Sequence, residues 1–203
     1  MPPSSSNSVE FFFDFGSPTA YLAYTQLPKI AMECRAEILW RPMLLGGVFK
    51  ATGNQSPVLI EAKGRWMWGD MDRWARRYGV PLARNPHFIV NTLLVMRGAA
   101  GYQLREPDRF LRYVDIMFHA MWVEPCNLGD PAVVGSLLQR EGFDAGAFMA
   151  MTADPEVKAR LIALTEAAVK RGVFGAPTMF VGEDMFFGQD RLEFVREALQ
   201  QAA

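Results

Sequence analysis

Val9-Glu10-Phe11-Phe12-Phe13-Asp14-Phe15-Gly16-Ser17-Pro18 decides the fold of this 203-residue chain. The aromatic run is short, β-favouring and ended by glycine, so it predicts a buried strand over Val9–Phe15. Ser17-Pro18 then opens a helix, with a hydroxyl at the cap and proline at the first helical position. Ala20, Ala23, Tyr24, Leu27, Ile30, Ala31 and Cys34 recur at three- and four-residue intervals, while Thr25, Gln26, Lys29 and Glu33 fill the opposite face. Pro28 kinks this helix without abolishing it. A second strand over Ala36–Arg41 stops before Pro42 and completes a β-α-β unit, whose strands are parallel by the handedness of the crossover.

Outward from that unit, 57–171 reads as helix almost throughout. It is punctuated by Gly79-Val80-Pro81, Asn85-Pro86, Glu106-Pro107, Gly129-Asp130-Pro131 and Asp154-Pro155, and five or six helices fit. Asp130-Pro131 and Asp154-Pro155 each place a capping carboxylate before a proline suited to a helix start. After Gly172 strand character returns at Thr178–Val181, a turn follows at Gly182-Glu183-Asp184, and Met185–Phe187 supplies a hairpin partner. A last helix is expected from Asp190, where Asp190 and Glu193 have capping-box spacing. The fold class is α/β. A β-α-β half and a β-β-α half flanking an all-helical stretch is the layout of a thioredoxin-like fold, with 9–56 and 172–203 forming that domain and 57–171 an inserted helical domain.

Composition excludes several classes of function. Twenty-one Lys and Arg stand against 22 Asp and Glu, for a net charge of −1, so there is no basic excess for a nucleic-acid partner. Charges, Gly and Pro interrupt every apolar run before it reaches the ~20 residues of a membrane span. Met1–Ser8 is small and polar with no basic residue, unlike a secretory leader, and the expected location is cytoplasmic. Cys34 and Cys126 are far apart with no C-x-x-C, and His87 and His119 have no second ligand at metal spacing. We therefore expect no redox dithiol, no disulfide scaffold and no metal.

Four stretches carry candidate chemistry. Ser17 sits at a strand-to-helix junction beside free backbone N–H groups and the positive end of a helix dipole. It is either a plain helix cap or a hydroxyl that meets an anionic atom, such as the sulfur of a bound thiol. Pro177, at the entry to the third strand, either marks a strand edge in trans or is cis, which leaves the preceding backbone free to pair with an extended peptide. Gln189, Asp190 and Arg191 either cap the last helix or hold the charged ends of an amino-acid-like ligand, with Gly188 allowing close approach. The polar loop Phe49–Pro57, which carries Lys50 and Asn54, is either a solvated linker or a substrate contact at the seam between the two parts. Trp66, Trp68 and Trp74, with Met67 and Met71, read as core or as the wall of an aromatic site.

Taken together, F-D-F-G-S-P at 13–18, K-A-T-G-N at 50–54, V-N-T at 90–92, and V-F-G-A-P-T-M-F-V-G followed by F-G-Q-D-R-L resemble the 2-hydroxychromene-2-carboxylate isomerase family, related to kappa-class glutathione transferases and DsbA-type oxidoreductases. The resemblance spans nearly all of 9–200 and implies bound glutathione as cofactor, a small aromatic carboxylate substrate and a homodimer. It implies that Ser17 faces the glutathione sulfur and that the Val173 backbone, ahead of a cis Pro177, pairs with the cysteinyl unit. Gln189, Asp190 and Arg191 hold the γ-glutamyl end on this reading, and Lys50 and Asn54 lie near the substrate. Two competing functions stay open: a kappa-like transferase that conjugates electrophiles, and a non-catalytic module that binds thiol peptides.

Overall fold

A computed structural model describes residues 7–202 of the chain. Its four strands are β1 (Ser8–Phe13), β2 (Glu37–Pro42), β3 (Thr178–Val181) and β4 (Asp184–Phe187), in the sheet order β2-β1-β3-β4. β1 runs parallel to β2 and antiparallel to β3, so it is flanked on both edges. It is also covered on both faces. Phe11 and Phe13 stack on one side with centroids 5.4 Å apart, while Phe12 on the other side meets Phe180 edge-on at 5.6 Å. A strand buried on both faces needs apolar residues without alternation, which accounts for the aromatic run. β1 ends at Phe13, two residues earlier than expected, because Asp14 turns the chain. The Ser17 N–H donates to the Asp14 carbonyl at 3.1 Å and the Gly16 N–H to its carboxylate at 2.8 Å.

Helix α1 (Pro18–Glu33) starts on the Ser17 cap and continues through Pro28. β2 leads into α2 (Leu45–Thr52), closed by Gly53 in the left-handed region at φ 72°. This corrects the reading of Phe49–Pro57 as loop, since Phe49 through Thr52 are helical. The start of α2 is secured from a distance: the Leu45 N–H donates to Asp14 Oδ2 at 2.8 Å and the Leu44 N–H to Thr165 Oγ1 at 3.0 Å.

The stretch 57–171 holds a 3-10 turn (Pro57–Leu59) and the helices α3 (Glu61–Tyr78), α4 (Leu93–Arg105), α5 (Pro107–Trp122), α6 (Pro131–Arg140), α7 (Ala145–Ala153) and α8 (Pro155–Lys170). Asp130 and Asp154 cap α6 and α8, each accepting a backbone N–H at 2.8 Å. α4 packs closely on α5 and α7 at Gly98, where a Cβ would lie 2.5 Å from the Phe148 ring. One core joins the helices to the sheet. Phe118 of α5 lies 5.8 Å from Phe13 and 5.0 Å from Phe15, and the Trp122 indole donates to the Phe15 carbonyl at 2.8 Å. Among the described residues no helix is long and apolar enough to cross a membrane.

Ala176-Pro177 is a cis peptide, the isomer raised by the sequence. The expected capping box at Asp190 does not form. Gln189–Arg191 is a 3-10 turn and α9 runs from Leu192 to Ala202. Gly188, at φ 103°, donates its N–H to the Pro177 carbonyl at 3.0 Å, and the Tyr78 hydroxyl donates to the Gln189 carbonyl at 2.8 Å. These long-range bonds hold the chain in the tighter turn, and the Asp190 carboxylate lies beside Arg191 at 3.4 Å instead of capping.

Glu10 is the ionic tie across this architecture. It accepts from Arg41 of β2 at 2.7 Å and pairs with Arg171, whose guanidinium lies 4.0 Å from the Phe180 ring centre. Burial pushes the carboxyl up, but hydrogen bonds and charge from Arg171 and Arg41 outweigh it and hold it below 4.5. A depressed carboxylate contributes stability above its unfolded pKa and loses it as pH falls through the folded value. We therefore expect Glu10→Gln to be about 1–2 kcal/mol less stable than wild type at pH 7. Urea melts at descending pH should show a shallower acid loss in the variant; parallel curves would refute the tie.

Candidate active site

The site is built on the corner between β1 and α1. The Ser17 side chain is 4% exposed, and its oxygen accepts the Ala20 N–H at 3.1 Å, so the helix-cap reading is correct as far as it goes. The same oxygen lies 3.0 Å from the Ala176 carbonyl, to which it donates, and 3.0 Å from Thr19 Oγ1. A cap needs only the first of these contacts. The others bring the α1 N-terminus against the residue before the cis proline, with the positive end of the helix dipole directed at the gap.

That gap is a cleft of about 410 Å³. The structure brings Ser17, Asn54, Gln189, Asp190 and Arg191 together along it, from three separate parts of the chain. Asn54 is held across the mouth by donating from its amide to the Phe174 carbonyl at 2.9 Å. Pro177 lies behind the lining, buried, while Gly175 and Ala176 face the cleft. Among the described residues the Ala176 N–H donates to nothing, so it is free to meet a ligand carbonyl.

Two expected residues are elsewhere. Val173 is fully buried and its N–H donates to the Ala168 carbonyl at 3.0 Å, because the end of α8 claims it. The backbone facing the cleft belongs to Gly175 and Ala176. Lys50 lies on the face of α2 that turns toward α4 and α8. There it rims a separate apolar hollow of about 700 Å³, since the helix that replaced the loop points it away from Ser17.

Comparison with known proteins decides the family. Residues 8–200 match the family described as DSBA-like thioredoxin domain. A 2-hydroxychromene-2-carboxylate isomerase of Pseudomonas putida is 34% identical over 94% of this chain and 93% of its own length. The solved structure of a 2-hydroxychromene-2-carboxylate isomerase superposes with a TM-score of 0.85 at 31% identity, covering 96% of this chain and 95% of that one. Human glutathione S-transferase kappa 1 is 27% identical over 95% of this chain and 90% of its own length. This chain belongs to the 2-hydroxychromene-2-carboxylate isomerase family, within the DSBA-like thioredoxin domain proteins.

Within that family's frame, this chain provides no thiol of its own at the corner. Cys34 is buried at the end of α1 and Cys126, whose thiol is pushed up by burial, lies in the loop between α5 and α6. Two features of this isomerase-family site, Asp14 and Thr19, escape sequence reading, while the tryptophans divide between the two readings the sequence left open. Asp14, 1% exposed, fixes the corner by accepting from Gly16, Leu45 and Thr92 Oγ1, the last at 3.0 Å. Burial pushes its carboxyl up, against those three bonds. Thr19 adds a second hydroxyl, 3.1 Å from the Ala176 carbonyl. Trp66 is 66% exposed and forms a wall of the cleft with Met67, Phe88 and Ile89, while Trp68 packs on Phe88 and Trp122, and Trp74 lies tilted against Tyr78 at 5.3 Å. The one sequence signal for Asp14 is a lone carboxylate set in the apolar run Phe11–Phe15.

Proposed function

We propose that the protein is a glutathione-dependent isomerase interconverting 2-hydroxychromene-2-carboxylate and trans-o-hydroxybenzylidenepyruvate in aromatic-compound breakdown. The observation that carries this reading is the buried Ser17 hydroxyl at the α1 N-terminus, facing a cleft whose lining contains neither cysteine of the chain. The residues fit the tripeptide: a hydroxyl donor, an unused Ala176 N–H beside a cis proline, and the charged pair Asp190 and Arg191 at the far end. When bound, glutathione supplies a sulfur nucleophile that adds reversibly to the side-chain double bond of the ring-opened substrate, so that the bond turns as a single bond before the sulfur leaves.

The protein's part is binding and charge placement. Ser17 donates its proton toward the sulfur and the α1 terminus adds about 0.3–1 kcal/mol for a negative charge, up to ~2 when partly buried. One helix end is too weak alone, so the hydroxyl bond shares the task. The Ala176 N–H aligns the cysteinyl backbone, while Gln189, Asp190 and Arg191 hold the γ-glutamyl end. Asn54 contacts the substrate, whose ring lies against Trp66, Met67 and Phe88, and water is kept from the sulfur by that apolar wall.

Chromene carboxylate absorbance, followed with and without glutathione alongside a thiol titration, tests the reading. Isomerisation that requires glutathione and leaves the free thiol pool unchanged supports it. A stoichiometric fall in free thiol with a stable conjugate supports the kappa-like transferase instead, and binding without turnover supports a thiol-peptide module.

A further inference from the structure

Ser17 Oγ, Thr19 Oγ1 and the Ala176 carbonyl oxygen form a triangle with sides of 3.0, 3.0 and 3.1 Å. Only two protons serve its three edges, one on each hydroxyl. The Ala176 carbonyl is buried and needs a donor. If Ser17 were the sole donor, turning its proton toward an incoming sulfur would strand that carbonyl, and the thiolate would gain one bond while the protein lost another. Thr19 removes this conflict. Its hydroxyl reaches the same oxygen at 3.1 Å, so the carbonyl stays satisfied when Ser17 turns away. The Ala20 N–H continues to donate to Ser17 Oγ throughout, which keeps the hydroxyl in place and polarises its proton outward.

We propose that Thr19 is a positioning residue for the thiol site: by taking over the Ala176 carbonyl it releases the single Ser17 proton to the sulfur. This rests on the thiol-binding reading above. No covalent change is involved; the two hydroxyl protons rotate, each staying on its own oxygen.

The test measures the ultraviolet absorbance of the thiolate of glutathione bound to the protein as a function of pH, with calorimetry of glutathione binding in parallel. Thr19→Val keeps the shape and removes the proton, Thr19→Ala removes both, and Thr19→Ser restores the hydroxyl. We expect the bound thiol to titrate about one pH unit higher, a tenfold loss of thiolate at a given pH, in Thr19→Val and Thr19→Ala, with Thr19→Ser near wild type. Because Thr19 acts through Ser17, adding Thr19→Val to Ser17→Ala should cost no more than Ser17→Ala alone. A Thr19→Val titration that overlays wild type, or an unchanged Thr19 effect in the Ser17→Ala background, overturns the proposal while leaving the thiol reading standing. Wild-type protein that binds no glutathione, or binds it without lowering its thiol pKa, defeats both.

Discussion

We expect Ser17→Ala to lose about a hundredfold or more of the proposed glutathione-dependent isomerisation while its fold persists. The magnitude follows from deleting one preorganised donor aimed at developing negative charge in a water-poor site, which typically costs 10²–10³ in rate. The fold persists because the other contacts of this corner survive the substitution. The Ala176 carbonyl keeps Thr19 as donor at 3.1 Å, and the Ser17 N–H still donates to the Asp14 carbonyl. What is lost structurally is the α1 cap at the Ala20 N–H, worth about 1 kcal/mol, or a melting-temperature drop of roughly 2–4 °C. Steady-state rates and a thermal melt on the same preparation separate the two effects. A variant that turns over like wild type removes Ser17 from the mechanism.

Asp14→Ala should be the most destabilising single change at the site, by about 3–5 kcal/mol in urea unfolding. The carboxylate is the shared acceptor for the turn before Ser17, for the first amide of α2 and for the Thr92 hydroxyl at the head of α4. Alanine leaves one buried and two half-buried donors without this partner and uncouples three elements at once. The pH dependence has a definite sign. Burial raises the folded carboxyl above its unfolded value of 3.8. A group with a raised folded pKa contributes its full stability below the unfolded pKa and loses it as pH climbs through the folded one. The Asp14 contribution to wild-type stability should therefore shrink as pH climbs from 3.8, so that wild type loses ground relative to Asp14→Asn, which cannot ionise. An Asp14→Ala protein as stable as wild type would show that the corner is held by something else.

Several features of the site were legible because their causes are local. The Ser17 cap involves atoms three residues apart, and Pro18 follows it directly. Asp130 and Asp154 cap their helices in the same way. The hairpin at Gly182 announced itself by composition, and β1 by an apolar run that only a doubly covered strand tolerates.

The misreadings share an opposite cause. The last turn of α2, Phe49–Thr52, reads as loop because the acceptors that start the helix, Asp14 and Thr165, lie 31 and 121 positions from the amides they receive. Lys50, near the substrate by resemblance, faces the hollow beside α8 because its direction is set by helix α2. Val173, placed by the resemblance, does not face the cleft because the end of α8 absorbs its amide, and Asp190 reads as a cap until Tyr78 and Pro177 pin its turn.

By itself, then, the sequence determined the α/β order, the central strand, the capped corner and the family, since periodicity, caps and turns act over a few residues. Only the tertiary structure decided which hydroxyls share one carbonyl, which backbone faces the cleft and which side chains wall it. Those relations join residues from 14 to 191, and chain packing, not local propensity, sets distances of that kind.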